Sequence, residues 1–393
     1  MKIIDNIPVW GDPIEERALD QIKRCTDKAV AVALMADHHL GYAVPIGGVV
    51  AYKDKISPSG VGYDIACGNM ACLTDLTYDQ IKNDVPRLAD LIFSTIEFGI
   101  GKRNSEENDH ALFDDNAWKV QAIAPLKEMA RQQLGTVGSG NHYVDVFRDE
   151  KDRIWVGVHF GSRGLGHKIA TFFLKAGGAK DGIDVEPLVL DVDSELGSDY
   201  LQCMNLAGRY AYAGREWVCR RVVQLLGGKV LKEVHNHHNF AWEEEHNGQK
   251  LWVVRKGATP AFPWQEGFVG GSMGDISVIL EGVENPLAQY SLYSTVHGAG
   301  RVMSRTAAKG KYFRDENGKK QRGVGLVRHD DMLKWIGDKN VCLRGAGVDE
   351  APQCYKRIEE VLKEHEGTVV IKEILHPIVV CMAGENEFDP YKD

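Results

Sequence analysis

Five glycine-flanked or histidine-rich polar clusters in the sequence carry side chains that can bind metals or phosphates. In four of them glycine lets a backbone approach a ligand closely. The clusters are 62–69 (GYDIACGN), 135–146 (GTVGSGNHYVDV), 158–167 (VHFGSRGLGH), 236–241 (NHHNFA) and 297–308 (HGAGRVMSRTAA). Each one alone has an ordinary explanation, such as a buried structural histidine or a tight turn. Five together, mostly at the ends of apolar strands, are hard to explain as packing and predict a functional site.

The candidate metal ligands are one carboxylate, one thiol and three imidazoles from four segments: Asp64, Cys67, His142, His159 and His238. No zinc-finger spacing is present, so the ligands of a metal site would have to come from distant segments. Asp64 and Cys67 are three residues apart and could share or bridge ions. A mixed set of oxygen, sulfur and nitrogen donors suits Mn, Zn, Fe or Co better than Mg or Ca. A thiol held by such a dication would be deprotonated. A lone Cys67 would more often be a small buried hydrophobe.

The overall charge of the chain is acidic, at −9, which taken alone argues against a general nucleic-acid binder. One stretch differs, because residues 301–322 hold eight basic residues against Asp315 and Glu316. The basic residues are Arg301, Arg305, Lys309, Lys311, Arg314, Lys319, Lys320 and Arg322. A solvated face explains such a stretch, but its position beside a phosphate-handling motif also fits the binding of a polyanion.

The order and wording of these clusters resemble the RtcB family of RNA ligases. The matching strings are D-x-H-L-G from residue 37, GYDIACG from 62, GSGNH from 138, H-x-GSRG from 159, HHN from 237, RKGA from 255, GSMG from 271, HGAGR from 297, DEAP from 349 and VVC from 379. The resemblance implies a mixed α/β (α+β) fold. Layered β-sheets and flanking helices would form a single interwoven domain, residues 1–393, around a deep metal-containing cleft.

The resemblance also implies an activity. Such an enzyme joins RNA with a 3′-phosphate or 2′,3′-cyclic phosphate end to RNA with a 5′-hydroxyl end, in RNA repair or tRNA splicing. The implied cofactors are GTP and Mn²⁺, with two ions expected and Zn, Co or Fe as alternatives. His297 matches the histidine that carries GMP covalently, and neutral imidazole is a suitable nucleophile toward phosphorus. The expected partners are broken RNA ends, and an activating protein is a further candidate.

The remaining residues that match the family's site fall into three groups. The metal ligands correspond to Asp64, Cys67, His142, His159 and His238, with Cys67 as the bridge. The nucleotide contacts correspond to Asn141, Asp145, Asn239, Ser272, Met273, Ser277, Gly298, Ala299 and Gly300, where the 298–300 backbone would hold phosphate oxygens. The RNA-phosphate contacts correspond to Arg163, Lys256 and Arg301. For Lys256 a solvated strand-end lysine is an equal alternative.

Three positions depart from the family's pattern. Asp145 stands where a glutamate commonly accepts from the guanine edge. Ala383 stands where a lysine usually reaches the nucleotide, and His38 stands where an apolar residue is usual. The metal and histidine chemistry is expected to be intact, but nucleotide binding is expected to be weaker or less selective for guanine. Restoring the lysine by Ala383→Lys is expected to raise the affinity for GTP.

Two alternatives to ligation are compatible with part of the sequence. A dinuclear metal phosphoesterase acting on RNA ends could use the same ligands, but hydrolysis needs no protein nucleophile at His297. A non-catalytic RNA-binding relative could keep the scaffold, and the missing lysine at residue 383 favours that alternative. An acid-labile adduct between protein and GMP would distinguish the ligase from both.

The elements that must position these residues alternate irregularly between helix and strand. Helices are predicted at 12–23, 78–94, 116–134, 166–176 and 200–226, and strands at 31–35, 142–147, 154–159, 230–235, 251–255, 276–280 and 290–296. Asp37 falls just past the first strand, and a hairpin is predicted near 315–320. Because the candidate site residues run from Asp37 to His297 with no linker between them, they can converge only in one interwoven domain.

Three features of the sequence bear on where the protein works. Eight scattered cysteines without a Cys-x-x-Cys pair are typical of reduced thiols in the cytosol. The N-terminal MKIIDNIPVWGD lacks the pattern of a signal peptide. No apolar run approaches the roughly 20 residues of a membrane-spanning helix. A soluble, cytoplasmic protein is therefore expected.

Overall fold

The structure is a computed structural model that describes residues 1–106, 108–180, 182–314, 316 and 318–385. Helices and strands alternate along these residues, which confirms the expected mixed α/β class. The helices are α1 Glu16–Cys25, α2 Pro58–Val61, α3 Tyr78–Ile81, α4 Val85–Thr95, α5 Lys127–Gln133, α6 Arg163–Ala176, α7 Glu195–Leu226, α8 Pro286–Tyr290, α9 Arg305–Lys309, α10 His329–Asp338 and α11 Ile358–Lys363.

The strands are numbered along the chain in the same way. They are β1 Lys2–Ile4, β2 Ile7–Val9, β3 Ala31–His39, β4 Ile46–Tyr52, β5 Lys55–Ile56, β6 Gly68–Thr77, β7 Tyr143–Asp149, β8 Arg153–Phe160, β9 Leu190–Asp191, β10 Val230–His237, β11 Asn239–His246, β12 Gln249–Lys256, β13 Ala258–Pro260, β14 Glu266–Val269, β15 Ser277–Gly282, β16 Ser294–Val296, β17 Tyr312–Arg314, β18 Lys320–Arg322, β19 Cys342–Ala346 and β20 Val369–Gly384.

Two large sheets carry the site. The eight-stranded sheet runs in the order β10-β6-β8-β7-β20-β15-β14, with β19 also paired to β20. Its edge strands β10 and β14 meet, since the Phe268 amide donates to Asn236 Oδ1 at 2.9 Å and Lys232 pairs with Glu266 at 2.6 Å. The second sheet has six strands in the order β1-β2-β3-β4-β12-β11. Both sheets join strands that are far apart in sequence.

Helix α7 packs against both sheets. Its first half, including Tyr200 and Leu206, lies in a hydrophobic cluster with residues of the six-stranded sheet such as Val254. Its second half, including Val218, lies in a cluster with residues of the eight-stranded sheet such as Val156. The helix begins where the Ser194 hydroxyl accepts from the Gly197 amide, and it ends at Gly227 in the left-handed region at φ 80°. This helix connects the two cores behind the site.

Several predicted element boundaries are wrong, and proline accounts for three of them. The helix predicted at 78–94 is two helices, α3 and α4, with Pro86 in the first turn of the second. The stretch 116–134 holds two short 3₁₀ turns before α5, because Pro125 has no amide to continue a helix. The strand predicted at 290–296 begins only at Ser294, because Tyr290 ends a helix that starts at Pro286.

Two corrections lie close to the candidate site. The helix predicted from residue 12 begins at Glu16, and the Glu15 amide before it donates to His38 Nε2 at 3.0 Å. The strand predicted at 31–35 continues through His39, so Asp37 lies within a strand and not beyond it.

The hairpin predicted near 315–320 is present as β17 and β18. No helix among the described residues has both the length and the apolar composition needed to cross a membrane.

Candidate active site

A cleft of about 1180 Å³ opens between ends of strands from the two large sheets, and most of the predicted site residues line it. Those that line it are Asp64, Cys67, Asn141, Asp145, His159, His238, Asn239, Lys256, Ser272, Met273, His297, Gly298, Ala299, Gly300 and Arg301. The other three predicted residues, His142, Arg163 and Ser277, are not part of the lining. The volume is large enough for a nucleotide together with part of a second substrate.

His297 follows strand β16 and is held by a buried carboxylate on β3. Asp37 Oδ2 accepts from His297 Nδ1 at 2.6 Å, from the His297 amide at 2.9 Å and from the Gly298 amide at 3.3 Å. Burial opposes ionisation of Asp37, but the charge and hydrogen bonds of His297 outweigh it and lower the pKa. Because Asp37 occupies Nδ1, Nε2 is the nitrogen of the His297 ring that is left for another partner.

The 297–300 turn fits closely over strand β3. Gly300 has φ 76°, and a Cβ at this position would lie 2.3 Å from the Asp37 carbonyl oxygen. A side chain there would push the turn away from β3 and weaken the contact between His297 and Asp37. This close approach explains why the second glycine of the HGAG string, Gly300, has no side chain.

Two imidazoles of the predicted metal set have their tautomers fixed by backbone and amide acceptors. His142 Nδ1 lies 2.9 Å from the Val137 carbonyl oxygen, and His159 Nδ1 lies 2.6 Å from Asn69 Oδ1. The Asn69 amide is oriented in turn by donating to the Phe268 carbonyl at 2.8 Å. Both rings therefore turn Nε2 toward Cys67, and Nε2 is the nitrogen that would bind a metal when Nδ1 is held in this way.

The donor atoms of the cluster lie close together. Cys67 Sγ is 3.8 Å from His142 Nε2 and 3.7 Å from His159 Nε2, and these three donor atoms lie within 4.8 Å of one another. Asp64 Oδ2 is 3.0 Å from His142 Nε2. His238 stacks on His159 with ring centroids 5.1 Å apart, and its amide donates to the Cys67 carbonyl at 2.8 Å. The structure thus brings together all five predicted ligands from four segments.

The electrostatics of this cluster fit a bound cation. Burial and the charge of Asp64 raise the pKa of the Cys67 thiol well above its usual value. Burial opposes ionisation of Asp64 itself, yet the hydrogen bond and charge of His142 bring its pKa to about 2. Burial lowers the pKa of His159 and His238 well below the usual value, so both rings are neutral. His238 Nδ1 is buried and has no hydrogen-bond partner among the described residues. A carboxylate, a thiol and neutral imidazoles are together a typical set of transition-metal ligands.

Some of the residues predicted to contact the nucleotide line the cleft, and others lie behind the lining and hold it in place. Asn239 Oδ1 accepts from the Gly257 amide at 2.7 Å, and Ser272 Oγ donates to Asp275 at 2.9 Å. Ser277 lies behind the cleft, where its hydroxyl accepts from the Gly271 amide at 3.2 Å. Gly298 lines the cleft, and its amide donates to Asp37 Oδ2 at 3.3 Å. Met273 is buried and reaches the lining from a hydrophobic cluster.

Asp145 is a buried carboxyl in the wall of the cleft. It lies on β7, and burial raises its pKa well above the usual value. Its Oδ1 has no hydrogen-bond partner among the described residues. On the neighbouring strand β20, Val380 and Met382 line the cleft, whereas Ala383 packs in the hydrophobic cluster on the opposite face. The expectation that a lysine at residue 383 would reach a nucleotide therefore does not fit the direction of this side chain.

The three cations predicted to hold RNA phosphate all have protein partners. Arg163 Nε donates to Thr136 Oγ1 at 3.3 Å, and its Nη1 lies 3.5 Å from His142 Nδ1. Lys256 Nζ donates to the carbonyls of Tyr42 and Ser59 at 2.6 and 3.2 Å. Of the three, Lys256 and Arg301 line the cleft, and Arg163 lies beside His142, outside the lining.

The basic stretch at 301–322 divides into a half-buried part and an exposed part. Arg301 and Arg305 both pair with Glu350, at 3.1 and 2.8 Å, and Lys309 pairs with Asp349 at 2.8 Å. These three cations neutralise two buried acids of the DEAP string. The exposed basic residues of the stretch lie on or beside the β17–β18 hairpin, and they are Lys311, Arg314, Lys319 and Arg322.

Two supporting residues were missed in the sequence. Asp37 was recognised within a motif but without a role, although a carboxylate inside an apolar stretch (AVALMAD) indicates an ion pair or a ligand. Arg215 on α7 is fully buried and donates to the carbonyls of Ala66 and Phe160 and to His237. Its neighbours adjoin three of the metal-set residues, but nothing in a long amphipathic helix marks this arginine in advance.

Comparison with known proteins agrees with this geometry. The family model described as tRNA-splicing ligase RtcB matches residues 19–125 and 116–383. RNA-splicing ligase RtcB of Escherichia coli strain K12 is 31% identical, over 97% of this chain and 98% of the relative. The tRNA-splicing ligases RtcB of Thermococcus kodakarensis and Nanoarchaeum equitans are also 31% identical, over 84% and 92% of this chain and 82% and 89% of the relatives. The chain therefore belongs to the RtcB family of RNA-splicing ligases.

Proposed function

We propose that this enzyme joins RNA 3′-phosphate or 2′,3′-cyclic phosphate ends to 5′-hydroxyl ends, with GTP and Mn²⁺, through a GMP adduct on His297. The proposal rests on the pair formed by His297 and the buried Asp37, beside a cluster in which the donor atoms of Cys67, His142 and His159 lie within 4.8 Å of one another. A hydrolase acting on RNA ends has no need of a histidine held in this way. The same pair argues against a non-catalytic relative, because a scaffold that only binds RNA has no need of an imidazole held at Nδ1 by a buried carboxylate.

The metal would be held by side chains that lie within reach of Cys67. Asp64, Cys67, His142, His159 and His238 would supply the oxygen, sulfur and nitrogen ligands of the Mn²⁺ ions. Bound dications would polarise phosphate and neutralise developing charge. Zn, Co and Fe also suit this donor set.

The residues of the chain carry out three displacements at phosphorus. In the first, His297 Nε2 attacks the α-phosphorus of GTP, the bond to the β-phosphate oxygen breaks and pyrophosphate leaves. Asp37 keeps the Nδ1 proton in place and stabilises the positive ring. In the second, an oxygen of the RNA 3′-phosphate attacks the same phosphorus and releases His297. In the third, the 5′-hydroxyl attacks the 3′-phosphate and GMP leaves. A cyclic end is first hydrolysed to a 3′-phosphate.

Several further assignments belong to the same proposal. Asn141, Asp145, Asn239, Ser272 and Met273 form the nucleotide-facing wall, together with the backbone of Ala299 and Gly300. The residues from 1 to 393 act as a single catalytic domain, in the cytoplasm. Its substrates are broken RNAs, and an activating protein is a candidate partner.

The test follows adduct formation and sealing separately. The protein is incubated with α-labelled GTP and Mn²⁺ and examined for an acid-labile adduct, and a 3′-phosphate RNA is then joined to a 5′-hydroxyl RNA. His297→Ala is expected to abolish both reactions and to leave the bound metal nearly unchanged, because His297 is outside the ligand set. The exposed His329, changed to alanine, is the control and should retain both. If His297→Ala still seals with GTP, the covalent mechanism is wrong.

A further inference from the structure

Tyr42 differs from the other aromatic residues of the cleft lining in its exposure. Its side chain is 47% exposed, whereas Tyr143 is buried and stacks on His159 at 5.5 Å. The third lining tyrosine, Tyr355, is half-buried beneath the Arg301 guanidinium, at 4.9 Å from its ring centroid. Among the described tyrosines of the lining, Tyr42 is therefore the one with the largest solvent-exposed fraction.

Buried polar side chains hold the loop that carries this ring. Gln21, which is fully buried, donates to the Gly41 carbonyl at 2.5 Å and accepts from the Gly41 amide at 3.0 Å. The Tyr42 carbonyl accepts from Lys256 Nζ at 2.6 Å and from the Val44 amide at 2.7 Å. Burying a lysine is costly, and burial lowers the pKa of Lys256 to about 8. Two buried side chains thus fix the backbone on both sides of an exposed ring.

The ring itself is braced by two more aromatic groups. Tyr63 contacts Tyr42 edge-on, with centroids 6.2 Å apart and planes at 87°. Tyr63 stacks in turn on His167 at 5.2 Å. Because Tyr63 directly precedes Asp64, this aromatic row connects the cleft mouth to the segment that carries two of the metal-set residues. Rings fixed in this way bind a flat partner with little further loss of conformational freedom.

We propose that Tyr42 is a stacking platform for an unpaired nucleobase of the RNA next to the break. The inference rests on the proposed RNA-joining function and adds a subsite to it. Single-stranded ends are commonly bound by aromatic stacking, which tolerates any base because every base has a π-face. The guanine of GTP offers the same chemistry. The arm that measures adduct formation distinguishes the two, because a platform for guanine would act on the KM for GTP and not on RNA binding.

The experiment measures RNA binding and adduct formation as separate arms. Binding of a 5′-labelled single-stranded RNA with a 3′-phosphate is followed by fluorescence anisotropy with Mn²⁺ and without GTP. The variants are Tyr42→Leu, Tyr42→Phe and Tyr42→Trp, and Tyr290→Leu is the matched control. Tyr290 is similarly exposed, at 53%, and lies at the end of α8 outside the cleft lining. A second RNA carries abasic residues at its two terminal positions.

Tyr42→Leu is expected to weaken RNA binding by about tenfold, which corresponds to stacking of one base. Tyr42→Phe, Tyr42→Trp and Tyr290→Leu should bind within about twofold of the unchanged protein. Removing the terminal bases should weaken binding to the unchanged protein by the same factor and should not weaken Tyr42→Leu further. The KM for GTP in adduct formation should be the same in all variants.

Two results would overturn the proposal. Equal RNA binding by Tyr42→Leu and the unchanged protein would exclude a stacking role. A raised KM for GTP with unchanged RNA binding would assign the ring to guanine. If the proposed function is wrong, the unchanged protein forms no GMP adduct. The RNA-binding measurement with Tyr42→Leu is separate from this result and still decides the stacking proposal.

Discussion

Asp37 holds the segment that carries His297, the predicted nucleophile. It accepts three hydrogen bonds on one oxygen from the segment that begins at His297, across 260 positions of sequence. In the proposed mechanism Asp37 is a positioning residue, because it would act on phosphorus only through the imidazole. The carboxylate would then have two tasks, which are to select the Nδ1-protonated tautomer and to stabilise the positive charge that forms on attack.

Changing this carboxylate to an amide should slow the first chemical step selectively. Asp37→Asn keeps the shape but loses the charge, so GMP-adduct formation is expected to fall by roughly 10²-fold or more. Sealing of an RNA whose 3′-phosphate already carries GMP should be nearly unaffected, since His297 is no longer needed. Asp149→Asn is the matched control, because Asp149 is equally buried and accepts from Trp155 Nε1 far from the cleft. Adduct formation at the normal rate in Asp37→Asn would contradict the assigned role.

The residue types at the site were predictable, but their hydrogen-bond partners were not. Spacing and chemistry placed His142 and His159 in a metal set, and their rings do converge on Cys67. No pattern in the sequence indicates that Arg301 is committed to Glu350, or that Ser277 faces away from the cleft. Such details depend on which side of a turn a side chain takes, and that is decided by packing between segments far apart in sequence.

At the scale of elements, the alternation of side chains along the end of β20 determines which of its residues face the cleft. Successive side chains of a strand point to opposite faces. Val380 and Met382 accordingly line the cleft, and Cys381 and Ala383 lie in the hydrophobic cluster behind it. When the sequence motifs are aligned, the family's lysine falls at Ala383. In the structure, however, the side chain of residue 382 faces the cleft.

Two lysine substitutions on this strand should therefore have different effects. Ala383→Lys is expected to lower the free energy of unfolding by about 3 kcal/mol or more, because it places a long charged side chain in a packed cluster. It should not raise the affinity for GTP. Met382→Lys places the ammonium in the cleft and should tighten GTP binding, with Met382→Leu as the control. Urea unfolding and GTP titration measure the two effects, and tighter GTP binding by Ala383→Lys would show that its side chain reaches the cleft.

Helix α7 supports the metal cluster through one arginine. Arg215 donates to the Ala66 carbonyl at 2.9 Å, to the Phe160 carbonyl at 2.5 Å and to His237 Nδ1 at 2.8 Å. These three acceptors directly adjoin Cys67, His159 and His238 in the sequence. The helix itself was predicted from its periodicity. Its contribution to the site was not, because a buried arginine has the same helical spacing as an exposed one.

Arg215→Met should damage both the fold and the metal site. It leaves three buried acceptors without a donor, so the free energy of unfolding of the metal-free protein is expected to fall by about 3–5 kcal/mol. Mn²⁺ affinity, measured by calorimetry, should fall by about 10- to 100-fold, as for other groups that support metal ligands. Arg220→Met is the matched control on the same helix, because its ion pairs with Glu216 and Glu233 are exposed and contribute less than about 1 kcal/mol. An unchanged Mn²⁺ affinity in Arg215→Met would exclude the positioning role.

At the scale of the whole molecule, strands far apart in sequence are interleaved. Strand β20, near the C-terminal end of the described residues, pairs with β7, β15 and β19. A single interwoven domain was expected because site residues spread over most of the chain would have to converge. The sheet order itself could not be predicted, because irregular alternation of helices and strands does not fix which strands become neighbours.

One buried histidine joins segments from both ends of the chain and should make folding sensitive to acid. His365 is fully buried, stacks on Trp10 at 5.5 Å and accepts from the Ala36 amide at 3.2 Å on Nε2. Burial lowers its pKa from 6.5 to about 4. The unfolded chain therefore binds more protons than the folded protein between these two values, and stability is lost as the pH falls through this window.

The free energy of unfolding is thus expected to be largest above pH 6.5 and to fall on acidification toward pH 4. His365 contributes up to about 3 kcal/mol to this fall, with a maximum slope of about 1.4 kcal/mol per pH unit. His365→Gln should be less stable at pH 7, because the stacking is lost. Its stability should nevertheless change less between pH 6.5 and 4, because the amide can accept from Ala36 without binding a proton. His329→Gln, at an exposed position, should keep the original slope. Urea unfolding at several pH values measures these slopes, and an equal slope in His365→Gln and the unchanged protein would mean that His365 is not the group that responds to acid.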